Sequence, residues 1–453
     1  MDSPKISIAI VGGGASGTVL AIQLLKHCAQ ATRITLIEKH SNLLYRGVAY
    51  SSRLQYEPLN VQAGKMSIYP ECPNDFIDFI QQHKSVHATS EDYVSRRWFG
   101  DYLDQQVKKA MALKSRFVDF EQLMNEVVDV SLQSNGKYSV HLTNSQLKDT
   151  DYVVLATGND SPPSLVVNST VPNGRCFDNP WLFDTQQIVP KSRVLIVGTG
   201  LTMVDIVGSF YTEDYDGDVV AISRKGLLPK VHMHQAKVTQ LVLPKGNSLL
   251  EWLSFVRLTL KLFNKQGIHW SILINEIRPH ISRIWQNFSP TEKALFLRKL
   301  KPIWELHRHR MPPISEVIIE ALKAQHRLKI VSASIKNVIW LNEENRFEVI
   351  YINTNNEEAK LKVDYIVNCT GPSGDVSQSK QILFQNLLSK KWITPDEFKL
   401  GVLTDKQGML IGKTNGIFAI GPLRKASEWE STAMAEICQQ AEKLSKYLMS
   451  KLK

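Results

Sequence analysis

The sequence predicts an α/β fold made of two Rossmann-like dinucleotide-binding domains with a helical insertion, and three observations support this class. A glycine-rich turn follows a short apolar strand twice, at residues 12–17 and at residues 198–203. A motif of an acid, an aromatic residue and a buried strand ending in Thr-Gly also occurs twice, at residues 151–158 and 364–371. Between residues 249 and 326 glycine nearly disappears and apolar residues recur at helical spacing, which predicts the insertion.

The first glycine-rich turn is a full dinucleotide fingerprint. It follows the apolar run 6–11 and opens a predicted helix, so that backbone N–H groups meet a pyrophosphate at the helix N-terminus. The next strand ends on Glu38, where a carboxylate accepts hydrogen bonds from ribose hydroxyls and repels a 2′-phosphate. This site is therefore predicted to hold FAD or NAD. Its predicted residues are Gly12, Gly14, Ala15, Ser16, Gly17, Glu38 and Lys39.

The second turn is looser, because Met203 stands where the first copy has its third glycine. The strand after it ends in Ser223, Arg224 and Lys225, at the position of the acid in the first copy. A guanidinium and an ammonium there suit the 2′-phosphate of NADPH; the alternative is an exposed basic turn on a basic protein. The predicted residues of this site are Gly198, Gly200, Leu201, Thr202, Ser223, Arg224 and Lys225.

Two bound dinucleotides predict electron transfer between them, and hence a two-dinucleotide-binding flavoprotein. Residues 1–160 and 364–453 are predicted to form a discontinuous FAD-binding domain. Residues 190–363 are predicted to form the NAD(P)H-binding domain, with the insertion at 249–326. A late apolar strand ending in Gly421, followed by a helix from about Ser431, provides N–H donors for the pyrimidine end of a flavin. The Thr-Gly motifs add Thr157, Gly158 and Gly371 to the predicted cofactor-binding residues.

Composition is that of an ordinary globular enzyme, with 43% apolar and 22% charged residues. The net charge of +10 favours anionic ligands, but the basic residues are dispersed and no nucleic-acid motif is present. Five well-separated cysteines argue against a redox dithiol and against a zinc site. No signal peptide and no apolar run of about 18 residues is found, so a cytoplasmic protein without an integral membrane segment is expected.

The insertion ends in a basic and aromatic cluster, residues 304–313, which contains His307, Arg308, His309 and Arg310. Two interpretations stay open. One is a charged, exposed face. The other is an anion contact to NADPH or to an acidic substrate. The two histidines are two residues apart, so on a helix they point to different faces and make a poor metal pair.

Seven blocks resemble the signatures of the bacterial FAD-NAD(P)-binding oxidoreductase family, which is similar to class B and N-hydroxylating flavin monooxygenases. The blocks are residues 46–51, 59–67, 99–103, 198–205, 223–229 with His232, 307–312 and 421–433. The resemblance implies that Gly12, Gly14, Gly17 and Glu38 serve FAD. It also implies that Arg46, Gly47, Asn60 and Met66 lie near the flavin and that Gly421 and Thr432 close over it.

Two departures from related flavoproteins narrow the expected chemistry. The late strand ends in Gly421-Pro422 and not in Gly-Asp, so the aspartate contact to the ribityl chain is either missing or made by another group. The Phe-x-Gly-x-x-x-His signature of Baeyer–Villiger enzymes is absent, which disfavours ketone oxygenation. No catalytic side chain is identified, since the flavin carries the chemistry.

The resemblance implies an FAD-dependent oxidoreductase reduced by NADPH, with O₂ and a small substrate as partners and a homo-oligomer possible. N-hydroxylation of an amine is the favoured reaction. A non-oxygenating NAD(P)H-dependent flavin oxidoreductase and a non-catalytic, flavin-binding redox sensor are the alternatives.

Overall fold

The computed structural model describes residues 6–28, 30–51, 54, 56–166, 171–233, 241–246 and 248–451. Over these residues fifteen strands are found: β1 (Ile6–Val11), β2 (Thr32–Glu38), β3 (Val118–Met124), β4 (Val127–Leu132), β5 (Tyr138–Leu142), β6 (Gln146–Thr150), β7 (Tyr152–Leu155), β8 (Cys176–Phe177), β9 (Val194–Val197), β10 (Val219–Ser223), β11 (Leu328–Leu341), β12 (Arg346–Asn353), β13 (Glu358–Val363), β14 (Tyr365–Asn368) and β15 (Ile417–Ala419).

Twelve α-helices lie in the same described residues: α1 (Ala15–His27), α2 (Asp75–His83), α3 (Arg96–Leu113), α4 (Leu201–Thr212), α5 (Leu249–Lys265), α6 (Ser271–Ile277), α7 (Ile281–Asn287), α8 (Pro290–Leu295), α9 (Lys301–Arg308), α10 (Pro313–Ala324), α11 (Ile382–Ser389) and α12 (Met434–Ser450). None of the described helices has both the length and the apolar character needed to cross a bilayer.

The chain divides into two compact units. The first unit comprises residues 1–51, 61–160 and 373–453, and the second comprises residues 52–60 and 161–372. Both units contain parallel strands, as the repeated strand and turn motifs predict, and the sheet of the second unit is extended by antiparallel strands.

The first unit contains a five-stranded parallel sheet in the order β15-β7-β1-β2-β3. Strands β1, β2, β7 and β15 are largely buried on both faces, as parallel strands covered on both sides must be, whereas the edge strand β3 is partly exposed. Helix α1 lies between β1 and β2 and packs against α3 and α12. The antiparallel sheet β4-β5-β6 and helix α11 form an apolar cluster together with residues of β1, β7 and β15.

The second unit contains a seven-stranded sheet in the order β13-β12-β11-β10-β9-β14-β8. Successive side chains of β9 and β10 enter two different apolar clusters, because side chains alternate between the faces of a strand. Helices α4 and α10 cover one face, and the hairpin β12–β13 contributes to the cluster on the other. A bulge between Ile335 and Asn337 interrupts the pairing of the long strand β11 with β12.

The two halves repeat each other at the level of single hydrogen bonds. The N–H of Gly12 donates to the carbonyl of Ile37, and the N–H of Gly198 donates to Ile222, both at 2.8 Å. At the end of the Thr-Gly strands, Ala156 donates to Val11 and Cys369 donates to Val197, again both at 2.8 Å. The shared plan inferred from the sequence repeat is therefore present in the backbone.

The domain boundaries differ from the sequence prediction in two places. Strand β14 pairs with β9, so the second unit extends to residue 372 and the first resumes at 373, where the prediction put 364. Residues 52–60 belong to the second unit: the N–H of Tyr56 donates to Ser209 Oγ at 3.1 Å, and its hydroxyl lies 2.9 Å from Ser315 Oγ.

The insertion is helical, but it is shorter than predicted. Helix α10 packs on α4, and its Ile318, Ile319 and Leu322 lie in the core of the second unit. It is therefore the crossover helix that leads to β11, and the inserted helices are α5–α9. A π-helical segment, Phe296–Leu300, precedes α9 just before Pro302. Proline cannot donate a backbone hydrogen bond and its ring displaces a carbonyl of the preceding turn, which accounts for the wider turn.

Candidate functional site

The first glycine-rich turn is formed by close backbone approaches that only glycine permits. Gly12 has φ +106°, and a Cβ on it would collide with the carbonyl oxygen of Ala156. A Cβ on Gly17 would collide with the carbonyl oxygen of Gly12. These two glycines therefore bring β1, β7 and the start of α1 together.

Helix α1 presents an uncapped N-terminus at this turn. Its N-cap is Gly14, which has no side chain to cap the helix, and the first intrahelical bond runs from the N–H of Thr18 to Gly14 at 2.9 Å. The N–H groups of Ala15, Ser16 and Gly17 consequently lack an acceptor within the helix. Such a helix end attracts an anion both by its donors and by its dipole.

Glu38 lies at the end of β2, beside the turn, and only 9% of its surface is exposed. Its Oε2 accepts the N–H of Gly13 at 2.9 Å, while Oε1 accepts the N–H groups of Lys39 and His40 at 3.0 and 3.1 Å. A carboxylate has about four acceptor positions. We therefore expect Oε2 to have room for one further donor, such as a single ribose hydroxyl.

A loop lies directly over the N-terminus of α1. The N–H of Tyr45 donates to the carbonyl of Gly13 at 2.7 Å, and Tyr45 adopts a positive φ of 68°. A Cβ on Gly14 would lie 3.1 Å from the Cα of Gly47, and one on Gly47 would lie 3.3 Å from the nitrogen of Ala15. Burial, followed by the charge of Asp104, raises the pKa of Tyr45 to about 12, so its phenol stays protonated.

Arg46 in the same loop is held by an acid on α3. Its Nη1 lies 2.6 Å from Asp101 Oδ1, and Lys84 Nζ lies 2.5 Å from Asp101 Oδ2. Burial alone would raise the pKa of Asp101, but the hydrogen bonds from Lys84 and Arg46 outweigh it and leave that pKa below its usual value. Gly100 in α3 permits the close approach of this helix to the loop, since a Cβ there would lie 2.5 Å from the carbonyl oxygen of Tyr50.

Gly421 also reaches the N-terminus of α1, because a Cβ on it would lie 2.5 Å from Ser16 Oγ. The N–H of Gly421 itself is already used inside the protein, while the assignment of Gly421 to the cofactor site stays a prediction. That N–H donates to Gln440 Oε1 at 2.8 Å, and Gln440 Nε2 donates in turn to Glu428 Oε2 at 2.8 Å. The donors at this end of the unit are therefore those at the start of α12, whose N-cap Ala433 has no side-chain acceptor.

The remaining residues predicted for the first site have varied surroundings. Thr157 Oγ1 is buried and has no hydrogen-bond partner among the described residues, which suits a ligand contact next to Ala156. Gly158 has φ +75°, with open space where a Cβ would stand. Lys39 is exposed and pairs with Glu126 at 3.1 Å. Met66 is buried and Thr432 is exposed.

Asn60 belongs to the second unit, although it was predicted with the flavin residues. Its carbonyl lies 2.9 Å from His232 Nε2. His232 follows a short parallel bridge between Val231 and Met311, and its N–H donates to the carbonyl of Met311 at 2.9 Å. This places His232 and the end of the basic cluster next to Asn60.

The second glycine-rich turn has the geometry of the first. Gly198 has φ +111°, and a Cβ on it would collide with the carbonyl oxygen of Cys369. Gly200 is the exposed N-cap of α4, and apart from its chain neighbours no described residue has an atom within 4 Å of the place where its Cβ would stand. The N–H groups of Leu201 and Thr202 follow it, without acceptors inside the helix. Gly371, at the equivalent Thr-Gly end, has φ +94°.

The turn after β10 carries the two predicted phosphate-binding cations. Arg224 and Lys225 are exposed, and neither side chain forms an ion pair within the described part of the chain. Ser223 Oγ lies 2.8 Å from Thr199 Oγ1, so this turn is hydrogen-bonded directly to the glycine-rich turn. The sequence did not identify Thr199, because a threonine between two glycines has no distinctive signature.

The basic cluster at the end of the insertion is partly buried. Arg308 and Arg310 are only 9% and 7% exposed, so an exposed charged face does not describe them. Arg310 Nη2 donates to Asn275 Oδ1 at 2.6 Å, and the guanidinium lies 5.8 Å from the ring centre of Trp270. Burial and then the charge of Arg310 lower the pKa of the neighbouring His269.

Residues 9–160 match the model of the FAD-NAD(P)-binding family. A search of curated protein sequences returned no match. Solved structures with the same fold include an ornithine N-hydroxylase of Kutzneria sp. 744, with 15% identity, a TM-score of 0.69 and coverage of 99% of this chain and 100% of that one.

Two further structures are an ornithine hydroxylase of Pseudomonas aeruginosa and an L-lysine 6-monooxygenase of Pseudomonas syringae. Their identities are 16% and 14% and their TM-scores 0.66 and 0.67. Each comparison covers 99% of this chain, with 100% of the first structure and 99% of the second. The chain therefore has the two-dinucleotide-binding flavoprotein fold of these structures, and its residues 9–160 match the model of the FAD-NAD(P)-binding family.

Proposed function

We propose that this protein is an FAD-dependent monooxygenase that is reduced by NADPH and hydroxylates the nitrogen of a small amine. The observation that carries the proposal is a contrast between the two glycine-rich turns. Each turn leads into a helix whose N-cap has no side chain, but the residues at the end of the following strand have opposite charges in the two units. The first has the buried acid Glu38 at the end of its second strand, and the second has Arg224 and Lys225 at the same position.

These charges support the assignment of the two dinucleotides. A 2′-phosphate next to the carboxylate of Glu38 would be repelled, whereas FAD carries none. Arg224 offers a planar, bidentate donor pair to a phosphate, and Lys225 offers a compact charge. Binding of FAD by the first unit and of NADPH by the second is therefore the arrangement that suits the charge at the end of the second strand in each unit.

The residues of the first unit fit FAD. The N–H groups of Ala15, Ser16 and Gly17 would bind its pyrophosphate, and Glu38 would accept a ribose hydroxyl. When bound, FAD accepts hydride from a nicotinamide and passes electrons on to an acceptor. The side chains around the FAD would bind and orient it. Thr157 Oγ1 is a buried hydroxyl for which the described residues offer no hydrogen-bond partner.

An external acceptor for the electrons is supported by the cysteines. Cys28, Cys369 and Cys438 are buried and separate, Cys176 is partly buried, and Cys72 is exposed. No pair of them forms the dithiol that a disulfide reductase uses. Molecular oxygen is then the acceptor that fits a flavoprotein of this fold.

The choice of an amine rests on the structural neighbours. The Kutzneria enzyme was solved with reduced FAD, NADP⁺ and L-ornithine, and the Pseudomonas syringae enzyme acts on L-lysine. Both substrates carry a primary amine on a short chain. We therefore propose a primary amine of this size as the substrate class.

The proposal is tested with purified, FAD-loaded protein and a panel of diamines and amino acids with terminal amines. NADPH oxidation and hydroxylamine formation are measured together under air. We expect one amine to give hydroxylamine in proportion to NADPH consumed. Peroxide in amounts equal to the NADPH consumed, with every amine tried, would instead support a non-oxygenating oxidoreductase. Yellow protein that NADPH does not bleach under anaerobic conditions would indicate a flavin-binding sensor.

A further inference from the structure

The turn that carries Arg224 and Lys225 is held by a chain of hydroxyl groups that starts in the glycine-rich turn. Thr199 Oγ1 lies 2.6 Å from the carbonyl oxygen of Leu227 and 2.8 Å from Ser223 Oγ. The N–H of Gly226 lies 3.0 Å from the same Ser223 Oγ. All of these residues belong to the second unit.

The direction of the chain follows from counting protons. A carbonyl only accepts, so Thr199 spends its single hydroxyl proton on Leu227. Ser223 must then donate its proton to Thr199 Oγ1, and its own oxygen accepts the N–H of Gly226. The hydroxyl of Thr199 therefore both closes the turn at Leu227 and fixes the orientation of the Ser223 hydroxyl.

The rest of the turn is fitted to this arrangement. Gly226 has φ +58°, and a Cβ on it would lie 3.1 Å from Ser332 of β11. Ser332 Oγ donates to the carbonyl of Arg224 at 3.3 Å. The backbone of residues 223–227 is thus held from both sides, while the side chains of Arg224 and Lys225 stay exposed.

We propose that Thr199 is a positioning residue for coenzyme selection. Thr199 is only 7% exposed, and its hydroxyl is already committed to Leu227 and Ser223, so it does not contact the coenzyme through that hydroxyl. It holds the backbone of Arg224 and Lys225 at a fixed place relative to the N-terminus of α4. Arg224 and Lys225 would thereby keep a constant spacing from the helix end at which the pyrophosphate of NADPH would bind.

This inference rests on the proposed binding of NADPH by the second unit. It goes further in assigning the preference for the 2′-phosphate to a residue that does not touch that phosphate. A rigid turn pre-organises the cations and so lowers the entropy that binding would otherwise cost.

The test compares the affinities of FAD-loaded Thr199→Val and wild-type protein for NADP⁺, NAD⁺ and adenosine 2′,5′-bisphosphate by titration calorimetry. Valine keeps the shape and removes the hydroxyl. One lost hydrogen bond of this kind corresponds to roughly a three- to tenfold weaker affinity. We expect that loss for NADP⁺ and for the bisphosphate, with little change for NAD⁺. Thr199→Ser should restore the wild-type ratio.

Two further variants make the test specific. Ser223→Ala breaks the same chain from the other side and should shift the NADP⁺ to NAD⁺ ratio in the same direction, which also covers the case of a Thr199→Val protein that does not fold. Thr212→Val removes a comparable hydroxyl bond, to the carbonyl of Gly208 at 2.9 Å, and should leave the ratio unchanged. In an Arg224→Ala background, Thr199→Val should have little further effect on the ratio.

Equal weakening of both coenzymes, or an unchanged ratio in a folded variant, would overturn the inference and leave the proposed function intact. Wild-type protein that binds NADP⁺ and NAD⁺ equally would contradict the coenzyme assignment itself, and this inference with it.

Discussion

The N–H of Gly13 donates to Oε2 of Glu38 at 2.9 Å, and this bond joins the glycine-rich turn to the end of the neighbouring strand. Glu38 therefore does two things in the first unit. It accepts a buried backbone donor of the turn, and under the proposed function its remaining acceptor position would bind a ribose hydroxyl of FAD. An acid at this place shapes the site as well as giving it charge.

Substitution of Glu38 separates these two roles. Glu38→Ala leaves the buried N–H of Gly13 without an acceptor, at a cost of about 1–3 kcal/mol, and removes the ribose contact. We expect loss of most of the FAD during purification, measured by the absorbance ratio of flavin to protein. Glu38→Gln keeps an oxygen for Gly13 and should retain more FAD than the alanine variant. Equal flavin content in both variants and the wild type would contradict a role for Glu38 in FAD binding.

Gly200 offers a test of the second turn that the protein itself does not obstruct. Beyond its chain neighbours, the described part of the protein has no atom within 4 Å of the place where a Cβ would stand, and the φ of Gly200 is −84°. Gly200→Val should therefore fold with an unchanged melting temperature and full FAD content, yet lose affinity for NADPH because the side chain enters the phosphate site.

Gly14→Val is the matched variant of the first turn and should lose FAD. Its side chain also approaches Gly47, so a melting curve is measured alongside the flavin content.

NADPH affinity that is unaffected in Gly200→Val would show that no phosphate lies at that helix end.

Arg224 is predicted to contribute to coenzyme choice through charge. Losing a charge-assisted contact to phosphate costs about 1.5–3 kcal/mol, or roughly ten- to a hundredfold in affinity. Arg224→Ala should raise the KM for NADPH by that factor and leave the KM for NADH nearly unchanged in steady-state assays. Lys336→Ala, which removes only a surface pair with Glu358 in the same unit, is the control. Equal effects on both coenzymes would assign Arg224 another role.

The thiols should differ sharply in reactivity. Burial, followed in each case by a nearby carboxylate, raises the pKa of Cys176 and of Cys438 to about 12, and burial raises that of Cys369 as well. Only thiolates react, so these three should stay inert in the folded protein at mildly alkaline pH.

Exposed Cys72 should account for the fast phase of a titration with a disulfide reagent. Cys72→Ser should remove that phase. Rapid reaction of two further thiols in the folded protein would reopen the possibility of a redox pair.

The features that depend on residues contiguous in the chain were the most predictable. Gly12 and Gly198 were identified because a strand, a glycine-rich turn and a helix are contiguous in the chain, and the structure places both at equivalent positions. The assignment of residues 364–368 to the first unit went wrong although the repeat with residues 151–155 was recognised. By that repeat, β14 should pair with β9, as β7 pairs with β1, and it does.

Other features depend on long-range packing and have no local signal. Arg310 is buried where it contacts α6 and the residue before it, through Asn275 and Trp270, and Arg308 at the end of α9 is buried as well. The acceptor of the Gly421 N–H is Gln440, on a helix whose register the sequence alone leaves undefined.

Transfer of an oxygen atom from O₂ to an amine is the central claim, and isotope labelling tests it most directly. The protein is incubated with NADPH, the preferred amine and ¹⁸O₂, and the product is analysed by mass spectrometry. We predict a hydroxylamine that carries one ¹⁸O atom per molecule and no label when the isotope is supplied as water. Unmodified amine together with labelled peroxide, in an amount equal to the NADPH consumed, would contradict the claim.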